Sequence, residues 1–244
     1  MNFSKISYRS RFGQLLRFPL RYIPADSVLP ILQGKLSGYK WIAGSSNHGY
    51  WLGSYEYEKQ QLISNTIKAG TVAFDIGAHV GFYTLLFSKL VGSEGKVFSF
   101  EPSPANLAYL RKHLTINRIS NVTTVEAAVS DSMSVTSFAQ GPNSSTGRIA
   151  DTGDFEVEQV SIDELVNKGK LPPPNYIKMD IEGAEFMALR GAENTLREFH
   201  PTIFLATHEA DVHQSCCSFL KKLGYELKSL NGLDISATDE IMAL

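Results

Sequence analysis

The stretch Thr71–Thr84, TVAFDIGAHVGFYT, sets an acid at the end of an apolar run and follows it with two glycines. Thr71-Val-Ala-Phe-Asp75 reads as a short buried strand, because β-branched and aromatic residues follow Gly70, a natural stop for a preceding helix. The chain turns at Ile76-Gly77-Ala78, and from Gly81 onward Phe82, Leu85, Leu86 and Leu90 recur at helical spacing. A strand, a glycine turn and a helix in that order present backbone N–H groups at a positive helix end, where glycine admits a ligand that a Cβ would block. Such a turn suits an anionic or nucleotide-like ligand, and it serves equally as a plain tight connection; the surrounding chain decides between the two.

Outward from this unit, apolar strands alternate with helical patterns. Upstream, a helix is expected from about Tyr55 to Ala69, after a Gly-, Ser- and aromatic-rich loop. Downstream, Lys96–Glu101 reads as a second strand, and Ser103-Pro104 supplies an N-cap and a first-turn proline for a helix to about Asn117. Val122–Val129 is a third strand. SVTSFA and FEVEQV are two strand-like runs around a Gly/Ser/Asn loop, and Ser161–Glu164 forms a capping box. Three prolines, Pro172–Pro174, precede a fourth strand within YIKMDIEGAE, then a helix to about Phe199. TIFLATHE is strand five, Asp211–Leu223 a helix, and YELKSL and EIMAL are closing strands. The alternation implies a doubly wound, mostly parallel α/β sheet.

Length and composition are compatible with one core: 244 residues, 43% hydrophobic. No apolar run reaches a membrane span and the N-terminus has no signal-peptide core, so a cytoplasmic protein is expected. Cys216 and Cys217 are adjacent, which suits neither a disulfide nor a zinc site, and reduced thiols are expected. A net charge of −2 gives no reason to expect nucleic acid. Residues 1–55 nevertheless hold seven cations against Asp26 alone, a local excess of +6. Phe12, Leu15, Leu16 and Phe18 lie among them, so residues 1–25 are a candidate for peripheral contact with an anionic inner membrane face, beside the plainer role of a solvated helix. Trp41, Tyr50, Trp51, Tyr55 and Tyr57 offer faces for a sugar or ring, and equally for core packing.

Ligands of open parallel sheets bind beyond the C-terminal strand ends, and four such ends carry Asp75, Glu101, Asp180 and His208. Glu101 lies 20 positions after Gly81, where a carboxylate accepts hydrogen bonds from an unphosphorylated ribose diol. A dinucleotide fingerprint, G-x-G-x-x-G, lacks its first glycine here, because the turn reads Asp75-Ile-Gly77-Ala-His-Val-Gly81. An acid at that point repels a pyrophosphate but suits the ammonium or sulfonium of S-adenosylmethionine (SAM), whose carboxylate still gains from the N–H groups. A nicotinamide-dependent oxidoreductase is thereby disfavoured. A SAM-binding module without catalysis stays a second alternative.

FDIGAHVGFYT, FSFEPSP, AAVSD and IKMDIEGAE, in this order and spacing, resemble the FkbM family of SAM-dependent methyltransferases of the class I, Rossmann-like fold. The resemblance runs from about Gly38 to Gly224. It implies a seven-stranded sheet, SAM across the first two strand ends with contacts from Asp75, Gly77, Ala78, His79, Gly81, Glu101 and Asp180, and residues around Ala128 against the adenine. It implies a domain over 55–244 behind a basic extension and aromatic loop at 1–54. The family methylates hydroxyl oxygens of sugars and natural products. His79 departs from the asparagine frequent in relatives.

Methyltransferases acting on amides or bases often show Asn or Asp followed by Pro-Pro and an aromatic on strand four; Asp180-Ile-Glu182-Gly183 stands here instead, which favours a hydroxyl of a sugar, glycan, glycolipid or secondary metabolite. A hydroxyl is a poor nucleophile until its proton is being removed, so Asp180, Glu182 and His208 are the candidate catalytic residues. His208, with an ordinary pKa near 6.5, would take a proton near neutrality. Asp180, Glu182 and a substrate diol would also suit Mg²⁺, although no metal ligand is assigned.

Overall fold

A computed structural model describes residues 10–139, 141, 147–150 and 152–244. In chain order the helices are α1 (Arg11–Arg17), α2 (Gly49–Leu52), α3 (Tyr57–Thr66), α4 (Phe82–Val91), α5 (Pro104–Ile116), α6 (Ile162–Asn167), α7 (Glu185–Arg190), α8 (Glu193–Phe199) and α9 (Ala210–Lys222). The strands are β1 (Val28–Pro30), β2 (Lys40–Ile42), β3 (Val72–Ile76), β4 (Lys96–Phe100), β5 (Val122–Val125), β6 (Ala128–Val129), β7 (Ser134–Ala139), β8 (Arg148–Ala150), β9 (Phe155–Val160), β10 (Tyr176–Met179), β11 (Thr202–Ala206), β12 (Leu227–Ser229) and β13 (Glu240–Ala243).

Seven strands form the central sheet in the order β12-β13-β11-β10-β3-β4-β5, with β13 antiparallel to both neighbours. The expected doubly wound, mostly parallel sheet of seven strands is therefore present. Period-two alternation divides its side chains between two layers. Phe74, Ile76, Phe98, Phe100, Ile177, Met179, Ile203 and Leu205 face one layer with Leu189, Leu196, Cys216 and Leu220 of α7, α8 and α9. Ala73, Val97 and Phe204 face the other, with Ile63 of α3 and Phe82, Leu85 and Leu86 of α4. Cys216 and Cys217 are buried free thiols.

Three expected elements differ. The third strand breaks after Val125: β6 pairs with β9 in a separate four-stranded sheet instead of continuing the edge. The helix after β10 is interrupted between α7 and α8, because Gly191 packs on Ser130, where a Cβ would stand 2.1 Å from a carbonyl oxygen, and the Gly191 carbonyl accepts from Asp163 N–H and Ser161 Oγ–H. The capping box is half made: Ser161 Oγ accepts from Glu164 N–H, while Ser161 N–H turns to the Met133 sulfur and Glu164 pairs with Lys168.

The expected division at residue 54 does not coincide with a break in packing. Ile31, Trp41, Tyr50, Trp51 and Leu52 belong to the same buried cluster as Ile63 and Phe82. Trp41 stacks on His113 at 3.9 Å between ring centroids, and Lys40 exchanges two hydrogen bonds with the Asn117 side chain. Trp41 and Trp51 are thus core residues and present no face to a ligand. Leu15, Phe18 and Tyr22 are exposed beside Arg11 and Arg21. The remainder of the expected membrane-contact segment, residues 1–9, and the side chains of Phe12 and Leu16 lie outside the described residues. Among the described residues no helix is long and apolar enough to cross a membrane.

His113 ties the N-terminal segment to the sheet. Its Nε2 accepts from Ile42 N–H at 3.1 Å and its Nδ1–H donates to the Val80 carbonyl at 2.8 Å, so both nitrogens are used by the neutral ring. Burial, opposed by the Val80 bond, lowers its pKa to about 4. The unfolded chain takes up a proton near pH 6.5 that the folded state refuses until about pH 4, so stability present above that window is lost as pH falls through it. The loss approaches about 3 kcal/mol. Denaturant titrations at pH 7 and pH 4 should show the wild type losing about 3 kcal/mol more than His113→Gln, since groups such as His79 contribute alike to both; equal losses in both would remove His113 as a cause.

Candidate active site at the strand C-termini

The chain runs from β3 outward through β4 to β5 and then crosses back to β10 on the opposite side of β3. Such a reversal opens a crevice beyond the carboxyl ends of the two central strands, where ligands of open α/β sheets bind. Gly77 stands at that point. Its φ is +77° and a Cβ would lie 2.0 Å from the Asp180 carbonyl oxygen, so only glycine lets the β3 turn pass the end of β10.

Parallel register places Lys178 beside Asp75, and Asp75 beside Ser99, on one face of the sheet. Thr84 of α4 closes this row: its hydroxyl donates to Asp75 Oδ2 at 2.6 Å and lies 3.0 Å from Ser99 Oγ. Lys178 Nζ is 3.8 Å from Asp75 Oδ1, 3.5 Å from Asp180 Oδ2, and donates to the Gly77 carbonyl at 3.1 Å. Asp75 is fully buried, and desolvation, opposed by Lys178 and Thr84, raises its pKa. Asp75 borders neither cavity described below. In this position Asp75 anchors Lys178 from beneath. Gly81 likewise borders neither; it begins α4 at φ +95°, and a Cβ there would press on Leu110 at 3.1 Å.

The turn amides also differ from expectation. Gly77 and Ala78 N–H both donate to the Phe100 carbonyl at 3.0 Å, and His79 N–H donates to Glu101 Oε2 at 2.8 Å. These three amides fasten the β3 turn to the end of β4 and are committed within the protein. His79 holds φ +51°, a left-handed conformation that histidine and asparagine adopt more readily than most residues. Burial and then Lys178 lower its pKa to about 4, so the ring is neutral.

Two cavities meet here. The first is bordered by Glu101, Ala127–Val129, Phe138, Ile149 and Ile181, a mainly apolar set around the Glu101 carboxylate. Glu101 Oε1 accepts from Ser103 N–H (3.0 Å) and Asn106 Nδ2–H (3.1 Å), and Oε2 accepts from His79 N–H. A carboxylate has about four acceptor positions, so about one remains on Oε2 for a ligand hydroxyl. Desolvation, opposed by these donors, raises its pKa. Ala128 borders this cavity, and so do Phe138 and Ile149 of the β7–β8 pair; Phe138 lies in SVTSFA, read as a strand, and Ile149 in the stretch read as a loop.

The second cavity is bordered by Tyr50, Tyr55, Glu56, Ala78, Lys178, Thr207, His208 and Glu240, and shares Gly77, His79, Asp180 and Glu182 with the first. Asp180, Glu182 and His208 converge at this junction. His208 Nε2 is 3.4 Å from Asp180 Oδ1 and 3.6 Å from Glu182 Oε1, while Nδ1–H donates to Glu185 Oε1 at 2.8 Å. Glu185 is fully buried and also receives Gly183 N–H at 3.0 Å. Its bond to His208, with Asp180 and Glu182 adding to it against burial, raises the His208 pKa to about 9. A histidine so raised holds its proton more firmly than a free imidazole. Burial pushes the Asp180 carboxyl up, but Lys178, Lys59 and His208 outweigh it and hold it below its ordinary range. Glu182 is raised by burial, opposed by His208.

Lys178 and Glu185 are the site residues that pattern reading left unassigned. Alternation puts Lys178 opposite Ile177 and Met179 without saying which side faces the cavity. Glu185, three residues after Glu182, carried the signal of a shared helix face but none of its histidine partner.

A seven-stranded sheet with one reversed strand, a glycine turn at the switch point and an acid ending the neighbouring strand define a Rossmann-like methyltransferase domain, with SAM as its cofactor. Residues 75–227 match the model of the Methyltransferase FkbM domain, and the chain belongs to that family. The Hexuronic acid methyltransferase AglP of Haloferax volcanii is 28% identical over 144 residues, covering 58% of this chain and 58% of the relative. Methyltransferase 1 of Beauveria bassiana is 23% identical over 144 residues, 49% of this chain and 57% of the relative. The matches thus span under two thirds of these curated relatives. In fold, the crystal structure of Methyltransferase FkbM from Methylobacillus flagellatus KT superposes with a TM-score of 0.51 at 16% identity, over 81% of this chain and 55% of the other.

Proposed function

We propose that this chain transfers the methyl group of SAM to a hydroxyl oxygen of a sugar, glycan, glycolipid or related natural product. The observation that carries the reading is the junction of the two cavities at Gly77, His79, Asp180 and Glu182. Adenosine occupies the first cavity, with Ala128 beside the base and Glu101 Oε2 accepting from a ribose hydroxyl. Gly77 and His79, which border both cavities, would hold the methionyl part. The acceptor fills the second cavity, between Tyr50, Tyr55 and the His208 cluster. The sulfur–methyl bond breaks as the methyl–oxygen bond forms, the hydroxyl proton passes to Glu182, and S-adenosylhomocysteine leaves. Glu182 suits that task because its carboxyl is held above the ordinary range while Asp180 is held below it. Alignment and exclusion of water supply much of the acceleration. A sugar acceptor accords with the name of the Haloferax volcanii relative.

Calorimetric titration with S-adenosylhomocysteine and with NADH is the test, followed by a screen of sugar acceptors with methyl-labelled SAM. Loss of a hydrogen bond to a buried carboxylate should weaken binding about 10- to 100-fold in Glu101→Ala. Glu101→Gln, which spares the Asn106 and Ser103 contacts in part, should lose less. NADH binding in place of S-adenosylhomocysteine would overturn the reading in favour of an oxidoreductase. Tight product binding without methyl transfer to any acceptor or cell extract would favour a non-catalytic SAM-binding module.

A further inference from the structure

We infer that Asp180, Glu182 and His208 form a three-ligand site for a divalent transition-metal ion of the Mn²⁺ class, with acceptor oxygens completing its shell. One oxygen or nitrogen from each residue lies within 4.8 Å of the others. The 3.4 and 3.6 Å separations of His208 Nε2 from the two carboxylates exceed good hydrogen-bond lengths. They suit adjacent ligands of one ion, since metal–ligand bonds of about 2.1 Å at right angles set ligand atoms about 3 Å apart.

The independent observation is the far side of the imidazole. Glu185 is fully buried, fixed by Gly183 N–H, and takes Nδ1–H of His208 at 2.8 Å, which aims Nε2 at the two carboxylates. A carboxylate behind a histidine in this way is the usual outer support of a metal-binding imidazole. Asp180 divides its oxygens: Oδ2 faces Lys178 and Oδ1 faces His208, leaving Oδ1 for the ion. The ion replaces the proton on Nε2. One imidazole among carboxylates favours Mn²⁺ over Mg²⁺, which prefers oxygen alone.

The inference rests on reading this cluster as the acceptor end of a methyltransferase site, and its test is independent of turnover. Chelator-treated protein without SAM or acceptor is titrated with Mn²⁺ and followed by electron paramagnetic resonance. One ion per chain is expected in the wild type. Glu182→Gln, Asp180→Asn and His208→Gln should each weaken binding at least about 10-fold, and Glu185→Gln, as a positioning change, about 10- to 100-fold. Thermal melts identify any variant that fails to fold, and Glu182, partly exposed in a loop, is the variant least exposed to that objection. Absence of Mn²⁺ binding at millimolar concentration, or binding that none of these changes weakens, overturns the inference. S-adenosylhomocysteine binding with no metal binding removes the metal site alone; loss of both removes the methyltransferase reading with it.

Discussion

Asp180→Asn is expected to lower methyl transfer about 10- to 100-fold, because His208 and Lys178 lose the charged partner that holds them beside the acceptor hydroxyl, the range for a hydrogen bond to an ionised group. S-adenosylhomocysteine affinity should stay within about threefold, because the amide keeps the carboxylate's shape where Asp180 borders the first cavity, and one hydrogen bond to a neutral group changes affinity little. The expectation comes from position: Asp180 is shared by both cavities and its Oδ1 faces His208 while Oδ2 faces Lys178. Removing its charge takes away the partner of both His208 and Lys178. Single-turnover transfer from labelled SAM, set beside product-binding titrations, separates the two effects. Equal losses of turnover and affinity would place Asp180 in cofactor binding and leave the acceptor to other groups.

Gly77→Ala should abolish product binding and cost roughly 2–4 kcal/mol of stability. One contribution is the left-handed backbone at φ +77°, which a Cβ disfavours. The other is the 2.0 Å approach to the Asp180 carbonyl, which can be relieved only by separating the ends of β3 and β10. Separation also breaks the register that sets Lys178 beside Asp75. Gly70→Ala is the control, since Gly70 has the same φ of +77° and nothing within 4 Å of its Cβ position. It should lose only the conformational part and bind product normally. Equal melting temperatures and affinities in the two variants would show that the close approach is unimportant.

These expectations draw on two kinds of information. Ser103 as an N-cap is legible in one dimension because the hydroxyl serves an amide three residues away, Asn106 N–H at 3.5 Å. The strands around Phe74, Phe98 and Ile177 are legible because burial on a pleated sheet forces alternation into the residue order. The four strand ends carrying Asp75, Glu101, Asp180 and His208 follow from the same alternation, since each polar residue stops an apolar run.

Partnership at those ends is another matter. That Asp75 anchors Lys178 is not legible, because its neighbours Lys178 and Ser99 arrive from strands 103 and 24 positions away through parallel register. His208 reads as a group near its ordinary pKa and is raised, because Glu185, 23 positions earlier, meets its Nδ1 only after β10 and β11 pair. The aromatic loop reads as ligand face or core, and packing put Trp41 against His113 while Tyr50 and Tyr55 border the second cavity. By itself the sequence determined the class of sheet, its strand ends and its helix caps, since these arise from interactions within a few residues. The tertiary structure alone decided which polar groups face one another and which titrate abnormally, since dielectric burial and charge neighbours are set by segments distant in the chain.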